Sequence, residues 1–220
     1  MFDWRKVETA FFDMDGTLLD LHFDSFFWLE HLPKRFTEIK KTSSEETNKK
    51  LLTMFETYQG SLNWYCLDFW SNELDIDIAS LKEEVSAKIS YRPHVQKLLT
   101  QLQSLDIDLA IVTNAHQDSI NLKFRHTDLA NYFDEVICSH DYGVEKESVQ
   151  FWTALHEKRA FNPEKTVFFD DNEDVLSAAK SFGIKQLFSI AKPDSQKQSN
   201  AEKEFKMVQC FSDFYPSISE

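Results

Sequence analysis

The sequence predicts an α/β fold, a parallel sheet covered by helices, with an all-helical insertion after the first strand. Two observations carry this. Five short apolar runs alternate with four helical patterns, which indicates right-handed βαβ units. Residues 21–92, between the first and second runs, show helical spacing and no strand alternation.

The first strand is the run Val7–Phe12, closed by Asp13-Met14-Asp15-Gly16-Thr17-Leu18-Leu19-Asp20. In the insertion, Asp24 is a candidate cap for a helix carrying Phe26, Phe27 and Leu29, and Pro33 starts a further segment. Ser43-Ser44-Glu45-Glu46 opens a helix with Leu51, Leu52, Phe55 and Tyr58 on one side. A third helix, Leu62 to Leu74, is crowded with aromatics. The alternation then resumes with helix Pro93–Ser104, in which Pro93 suits the first turn. Strand Ile107–Thr113, helix Gln117–Thr127, strand Glu135–Ser139 and helix Ser148–Arg159 follow. Strand Thr166–Asp170 leads to helix Asn172–Phe182, capped by Gly183, and then to strand Ile184–Ser189. The polar tract Ala191–Glu204 reads as a surface loop or mobile segment before a short aromatic end. Residues 1–20 and 93–220 are thereby assigned to the sheet domain and 21–92 to the helical one.

With 220 residues and 42% hydrophobic content, the chain can bury a full core. No run approaches the roughly 20 apolar residues that span a bilayer. The start Met1-Phe2-Asp3-Trp4-Arg5-Lys6 lacks the pattern of a signal peptide. Cys66, Cys138 and Cys210 read as reduced thiols, so a cytoplasmic protein without membrane partners is expected. A formal charge of −13 argues against a nucleic-acid partner. It also means that a phosphate site must bring its own positive charge from a metal, a lysine or helix N-termini. Oligomeric state is not legible.

Asp13 and Asp15 leave the C-terminal end of a buried strand and meet a glycine, so their carboxylates project into the crevice where open α/β sheets bind ligands. One such carboxylate can attack phosphorus and the other can move protons. The bland alternative is a strand-turn whose aspartates cap a helix. Thr113 and Asn114 end the second strand, where a hydroxyl and an amide can bind phosphate oxygens or simply cap the next helix. Lys146 follows the third strand; a loop lysine is usually solvated, but here it would occupy the same sheet end as the aspartates. Asp170 and Asp171 end the fourth strand, and so many carboxylates without a cation would be costly. Hard oxygen ligands in this number suit Mg²⁺. Glu173 and Asp174 read as first-turn helix residues.

In this order, DxDGTL, strand-end Thr-Asn, loop Lys and Asp-Asp, the chain resembles the haloacid dehalogenase (HAD) superfamily of phosphotransferases, whose motifs span Asp13 to Asp171. The resemblance implies a Rossmann-like core and an aspartyl-phosphate intermediate. It implies Asp13 as nucleophile, Asp15 as general acid and base, and Thr113, Asn114 and Lys146 around the phosphoryl group. Asp171, Asp13 and the Asp15 backbone carbonyl would hold Mg²⁺. Asp170 stands where many members carry Gly or Glu, which points to a role through a metal-bound water. Asp174 falls one residue short of the second acid of a GDxxxD variant, so the resemblance assigns it no ligand role.

The insertion resembles the helical C1 cap that selects substrates in this superfamily. Of Phe23, Phe26, Phe27, Trp28, Trp64, Tyr65, Phe69 and Trp70, most would form the cap's own core, and one or two would line the cleft. The segments FDSFFW and LNWYCLDFW, with DMDGTLLDL, resemble the bacterial GMP/IMP nucleotidase subgroup. That similarity implies a purine 5′-mononucleotide as partner; from the aromatics themselves, Trp64 is the candidate to stack on a flat base and Asn63 beside it the candidate to read the base edge. A sugar-phosphate phosphatase or phosphomutase would use the same core. A dehalogenase, which works without metal, would leave Asp15, Asp170 and Asp171 without a task, and a non-catalytic binding module would leave the whole motif set unused. Among the histidines, only His116 is placed near the site.

Overall fold

The computed structural model describes residues 2–199 and 204–216. Six parallel strands form one sheet in the order β3-β2-β1-β4-β5-β6. They are β1 Thr9–Phe12, β2 Asp108–Thr113, β3 Glu135–Cys138, β4 Thr166–Asp170, β5 Gln186–Ile190 and β6 Lys206–Val208. Strand β1 is central, and its side chains alternate between two cores, as the two-residue period of a strand requires. Phe12, in register with Ile111 and Phe169, faces one side; Phe11, in register with Ala110 and Phe168, faces the other. Phe12 stacks on Phe169 at 4.9 Å, so the sheet's centre is filled by aromatic rings.

Ten α-helices occur among the described residues, and the insertion carries six of them: α1 His22–Phe26, α2 Leu32–Lys40, α3 Ser44–Tyr58, α4 Leu62–Tyr65, α5 Leu67–Leu74 and α6 Ile78–Glu83. The other four are α7 Val95–Leu102, α8 Gln117–His126, α9 Val149–Lys158 and α10 Glu173–Phe182. Helices α7 and α8 cover the Phe12 face; α9 and α10 cover the Phe11 face. Three layers result, with both sheet faces buried, as an all-parallel sheet demands. The insertion has its own cluster built on Phe27, Leu32, Phe36, Trp70 and Ile78. No helix among the described residues is long and apolar enough to cross a membrane. The three cysteines are free thiols.

Several local expectations need correction. Strand β6 was not anticipated: three residues behind a polar tract carry too little alternation to register. The tract from Ala191 is not wholly a surface loop, because Ala191, Pro193 and Asp194 are buried and the Pro193 carbonyl accepts from Leu21 and Arg92; residues 200–203 of that tract lie outside the described residues. Pro93 precedes α7 by two positions, and His94 caps that helix in the left-handed region at φ 71°. The aromatic stretch Leu62–Leu74 breaks at Cys66, whose extended backbone separates α4 from α5. Helix α6 lay unread in the same region. Leu52 is 59% exposed and belongs to the outer face of α3, although the Ser43–Glu46 capping box forms as expected. Asp24 is not a cap either. It sits in the first turn of α1, and a π-helical turn, Phe27–His31, links α1 to α2 just before Pro33, which has no N–H to continue a regular ladder.

Candidate active site

The register of β1 with β2 and β4 brings their C-terminal ends level, and the residues that follow meet there. Asp13 is anchored by its own N–H, which donates to the Phe169 carbonyl at 2.9 Å. Gly16 turns the chain at φ +83°, and a Cβ there would come within 2.6 Å of the Asp171 carboxylate. Glycine is thus required twice over, by conformation and by space.

Lys146 is the electrostatic centre of the sheet end. Its ammonium donates to Asp13 Oδ1 at 2.6 Å, Asp170 Oδ2 at 2.7 Å and the Val112 carbonyl at 2.9 Å, and it is 2% exposed. Burial alone would lower its pKa, but Asp13 and Asp170 hold it well above the ordinary lysine value. Its loop is pinned by Trp152, whose indole N–H donates to the Lys146 carbonyl at 2.9 Å. Asn114 pins it too, accepting the Lys146 N–H at 2.9 Å and donating to Glu147 at 2.8 Å. The Asn114 amide is therefore engaged with the lysine loop while the residue also lines the cavity. Thr113 is buried at the strand end, where its hydroxyl accepts from the Ala115 N–H at 3.0 Å.

Asp13, Asp170 and Asp171 each offer a carboxylate oxygen within 4.8 Å of the others. Lys146 pairs with Asp13 and Asp170, and three carboxylate oxygens gathered this closely fit a hard divalent cation in atom type. Asp170 is held by Lys146 at 2.7 Å and by the Asn172 N–H at 2.9 Å. Burial pushes Asp13 up to about 7, against the pull of Lys146. Burial likewise raises Asp15 to about 6, opposed by the nearby Lys123 and assisted by Asp24. A carboxyl near that value can both hold and release a proton close to neutral pH.

A cavity of about 570 Å³ opens above these groups. Its floor is Asp13, Asp15, Thr113, Asn114, Lys146, Asp170 and Asp171; its far wall is Trp28, Phe55, Trp64 and Tyr65 from the insertion. Three of the eight aromatics singled out in the sequence thus reach the cavity, together with Phe55, while Phe23, Phe27 and Trp70 are buried elsewhere. Trp64 stands edge-on to Phe55 and Trp70 at 5.5 and 6.0 Å. Asn63 does not join it. Helix α4 turns Trp64 and Tyr65 toward the cavity and leaves Asn63 exposed, outside the wall. His116 lines the cavity and caps α8.

Sequence reasoning missed three charged residues here. Lys82 and Lys123 are 2% and 1% exposed and pair with Asp24 and Asp15. Each occupies the inward phase of its helix, Lys82 beside Ile78 and Leu81, and Lys123 three residues after Ile120. A charge in an apolar phase was the available signal. Glu147 had no such signal; it gathers Asn114, Asn172 and the Tyr65 hydroxyl, the last at 2.6 Å, and so ties the insertion to the lysine loop.

Comparison with known proteins agrees with this architecture. The chain is 33% identical over 211 residues, 96% of its own length and 94% of the relative's, to the GMP/IMP nucleotidase YrfG of Escherichia coli K12. It is 25% identical over 196 residues, covering 84% and 85%, to a phosphorylated carbohydrates phosphatase of Thermotoga maritima. A crystal structure of a HAD phosphatase from Thermococcus onnurineus superposes with a TM-score of 0.77 at 21% identity, covering 94% of this chain and 96% of that one. Residues 10–188 match the model of the haloacid dehalogenase-like hydrolases, and the chain belongs to that family.

Proposed function

We propose that this phosphoric monoester hydrolase is a cytoplasmic, Mg²⁺-dependent enzyme that works through an aspartyl-phosphate on Asp13 and acts on purine 5′-mononucleotides such as GMP and IMP. The observation that carries the chemistry is the convergence of Asp13, Asp15, Lys146 and Asp171 on the floor of one cavity. The 33% identity to a GMP/IMP nucleotidase across nearly the whole chain supports the substrate, as does the aromatic wall opposite the carboxylates.

On this reading Asp13 attacks phosphorus and takes the phosphoryl group, while Asp15 delivers a proton to the departing ester oxygen. Asp15 then withdraws a proton from water as that water cleaves the acyl-phosphate. Lys146 neutralises the phosphoryl oxygens and holds Asp13 at 2.6 Å, and Asp170 fixes the lysine. Thr113 supplies a hydroxyl at the same strand end. Asp13 and Asp171 would ligate the cation, which when bound screens the nucleophile from the incoming anion and stabilises transferred charge. Trp64 or Trp28 would stack on the base.

A panel of phosphate esters tests this. With Mg²⁺ present, phosphate release from GMP and IMP should exceed that from pyrimidine nucleotides and sugar phosphates in kcat/KM, and EDTA should abolish it. Preference for a sugar phosphate would contradict the nucleotide assignment while leaving the chemistry standing. Undiminished turnover in EDTA would contradict the metal.

A further inference from the structure

Lys123 stands on the buried face of α8 with Ser119, Ile120 and Leu122. Its ammonium has two anionic partners, Asp15 Oδ1 at 2.6 Å and Asp24 Oδ2 at 3.0 Å. Asp24 comes from α1, the first helix of the insertion, and its other oxygen takes Lys82 of α6 at 2.5 Å. Four charges therefore alternate in sign across the join between the sheet domain and the insertion. Apolar side chains of similar volume would stabilise such a site at least as well, because desolvation offsets most of a buried ion pair's attraction. What they could not do is hold a carboxylate in one orientation.

We propose that Lys123 is a positioning residue for Asp15, fixing that carboxylate at the cavity floor in the orientation from which it exchanges a proton with the ester oxygen and with water. Asp24, clamped by Lys82, keeps the ammonium in place, so the aim of Asp15 depends on two residues of the insertion. The inference rests on the proton-handling role given to Asp15 above. It adds that the insertion shapes the chemistry through Asp24 as well as the walls of the cavity.

Proton transfer matters most when the leaving oxygen is basic, so the dependence of rate on leaving group separates positioning from mere support. The test compares kcat/KM, with Mg²⁺ present, for p-nitrophenyl phosphate, phenyl phosphate and a simple alkyl phosphate. Asp15→Asn and Lys123→Met should each lose at least about tenfold more on the alkyl ester than on the p-nitrophenyl ester. Lys123→Arg, which keeps the charge, should restore the shallow wild-type profile. The double variant Lys123→Met with Asp15→Asn should be no slower than Asp15→Asn alone, because both changes act through one group. If thermal melts show that Lys123→Met does not fold, Lys123→Gln, a shorter, uncharged side chain that keeps a polar donor, carries the same expectation of a steeper profile. Equal losses across the three esters for the lysine variants, beside a steep profile for Asp15→Asn, would overturn the proposal alone. Additive losses in the double variant would overturn it too. A flat profile for Asp15→Asn itself would remove the acid role, and the proposal with it.

Discussion

At the sheet end, Thr113 and Asp170 are fixed by the register of neighbouring strands, Asp13 by its N–H on the Phe169 carbonyl, and Lys146 by three bonds of 2.6 to 2.9 Å. Across the cavity, Trp28, Phe55 and Trp64 are held by ring packing within a small helical cluster, Trp64 also by its carbonyl, which accepts from the Trp70 indole N–H at 2.9 Å, and Tyr65 by its hydroxyl, which donates to Glu147. The first surface is polar, directional and tolerant of almost no displacement; the second is apolar and adaptable. On the proposed reading this contrast separates reaction from selection: backbone register would aim the groups that make and break bonds, and packed rings would shape the space for what carries the phosphate. Changes on the sheet side should therefore be large and should vary with substrate only through the basicity of the leaving oxygen, whereas changes on the helical side should be smaller and should depend on the group that carries the phosphate.

The largest effect belongs to Asp13. Asp13→Asn should bring turnover of every phosphate ester below detection, since an amide cannot form the acyl-phosphate, while the protein stays folded because it loses one of three clustered carboxylates. A melting temperature at or above that of the parent, with no phosphate release, is the expected pair of results. Asp15→Asn should come next, with a loss of about 10²–10⁴ in rate, the usual range for general acid–base catalysis. Steady-state kinetics on GMP would show it, and a loss under tenfold would contradict the role.

Asp24→Asn probes the join between the two surfaces. It strips two buried lysines of a common counter-ion, so urea unfolding should show a loss of about 3–5 kcal/mol, as when one partner of a buried ion pair is removed. Burial alone would raise its pKa, but Lys123 and Lys82 hold Asp24 well below the usual carboxylate range. A depressed folded value means that the stabilisation is complete above the unfolded pKa of about 4 and fades as pH falls through the folded value. The gap between parent and variant should therefore close only in acid.

How much of this the sequence disclosed follows the same contrast. Asp13, Asp15, Lys146 and Asp171 stood out because each follows a short apolar strand or its loop in a fixed order, and the parallel sheet then brings them together. The helical insertion has no such grammar. Periodicity told that Trp64 and Trp70 were helical, but only the break at Cys66 turns Trp64 to the cavity while Trp70 stays buried. Asn63, its neighbour, was expected to read a base and instead faces solvent, because a single turn of helix decides which way each side chain goes. Lys82 and Lys123 were invisible for a related reason: a lysine at a helical position reads as a solvated face until its phase is compared with the apolar residues around it. Strand β6 was too short to announce itself.

The smallest effects are expected on the helical side. Trp64→Ala should lower kcat/KM for GMP by about 1–3 kcal/mol, the range for losing one base-stacking ring, and should spare p-nitrophenyl phosphate. Asn63→Ala should change neither, since it lies outside the cavity wall. Equal loss on both substrates for Trp64→Ala, with a lowered melting temperature, would make that ring part of the insertion's core.

Trapping the phosphorylated state tests the central claim most directly. A crystal structure of the enzyme with Mg²⁺ and beryllium fluoride should show the fluoride adduct bonded to an Asp13 carboxylate oxygen, with Lys146 against its fluorines and the cation on Asp13 and Asp171. An adduct on any other side chain, or Asp13 left free beside a bound cation, would contradict the account.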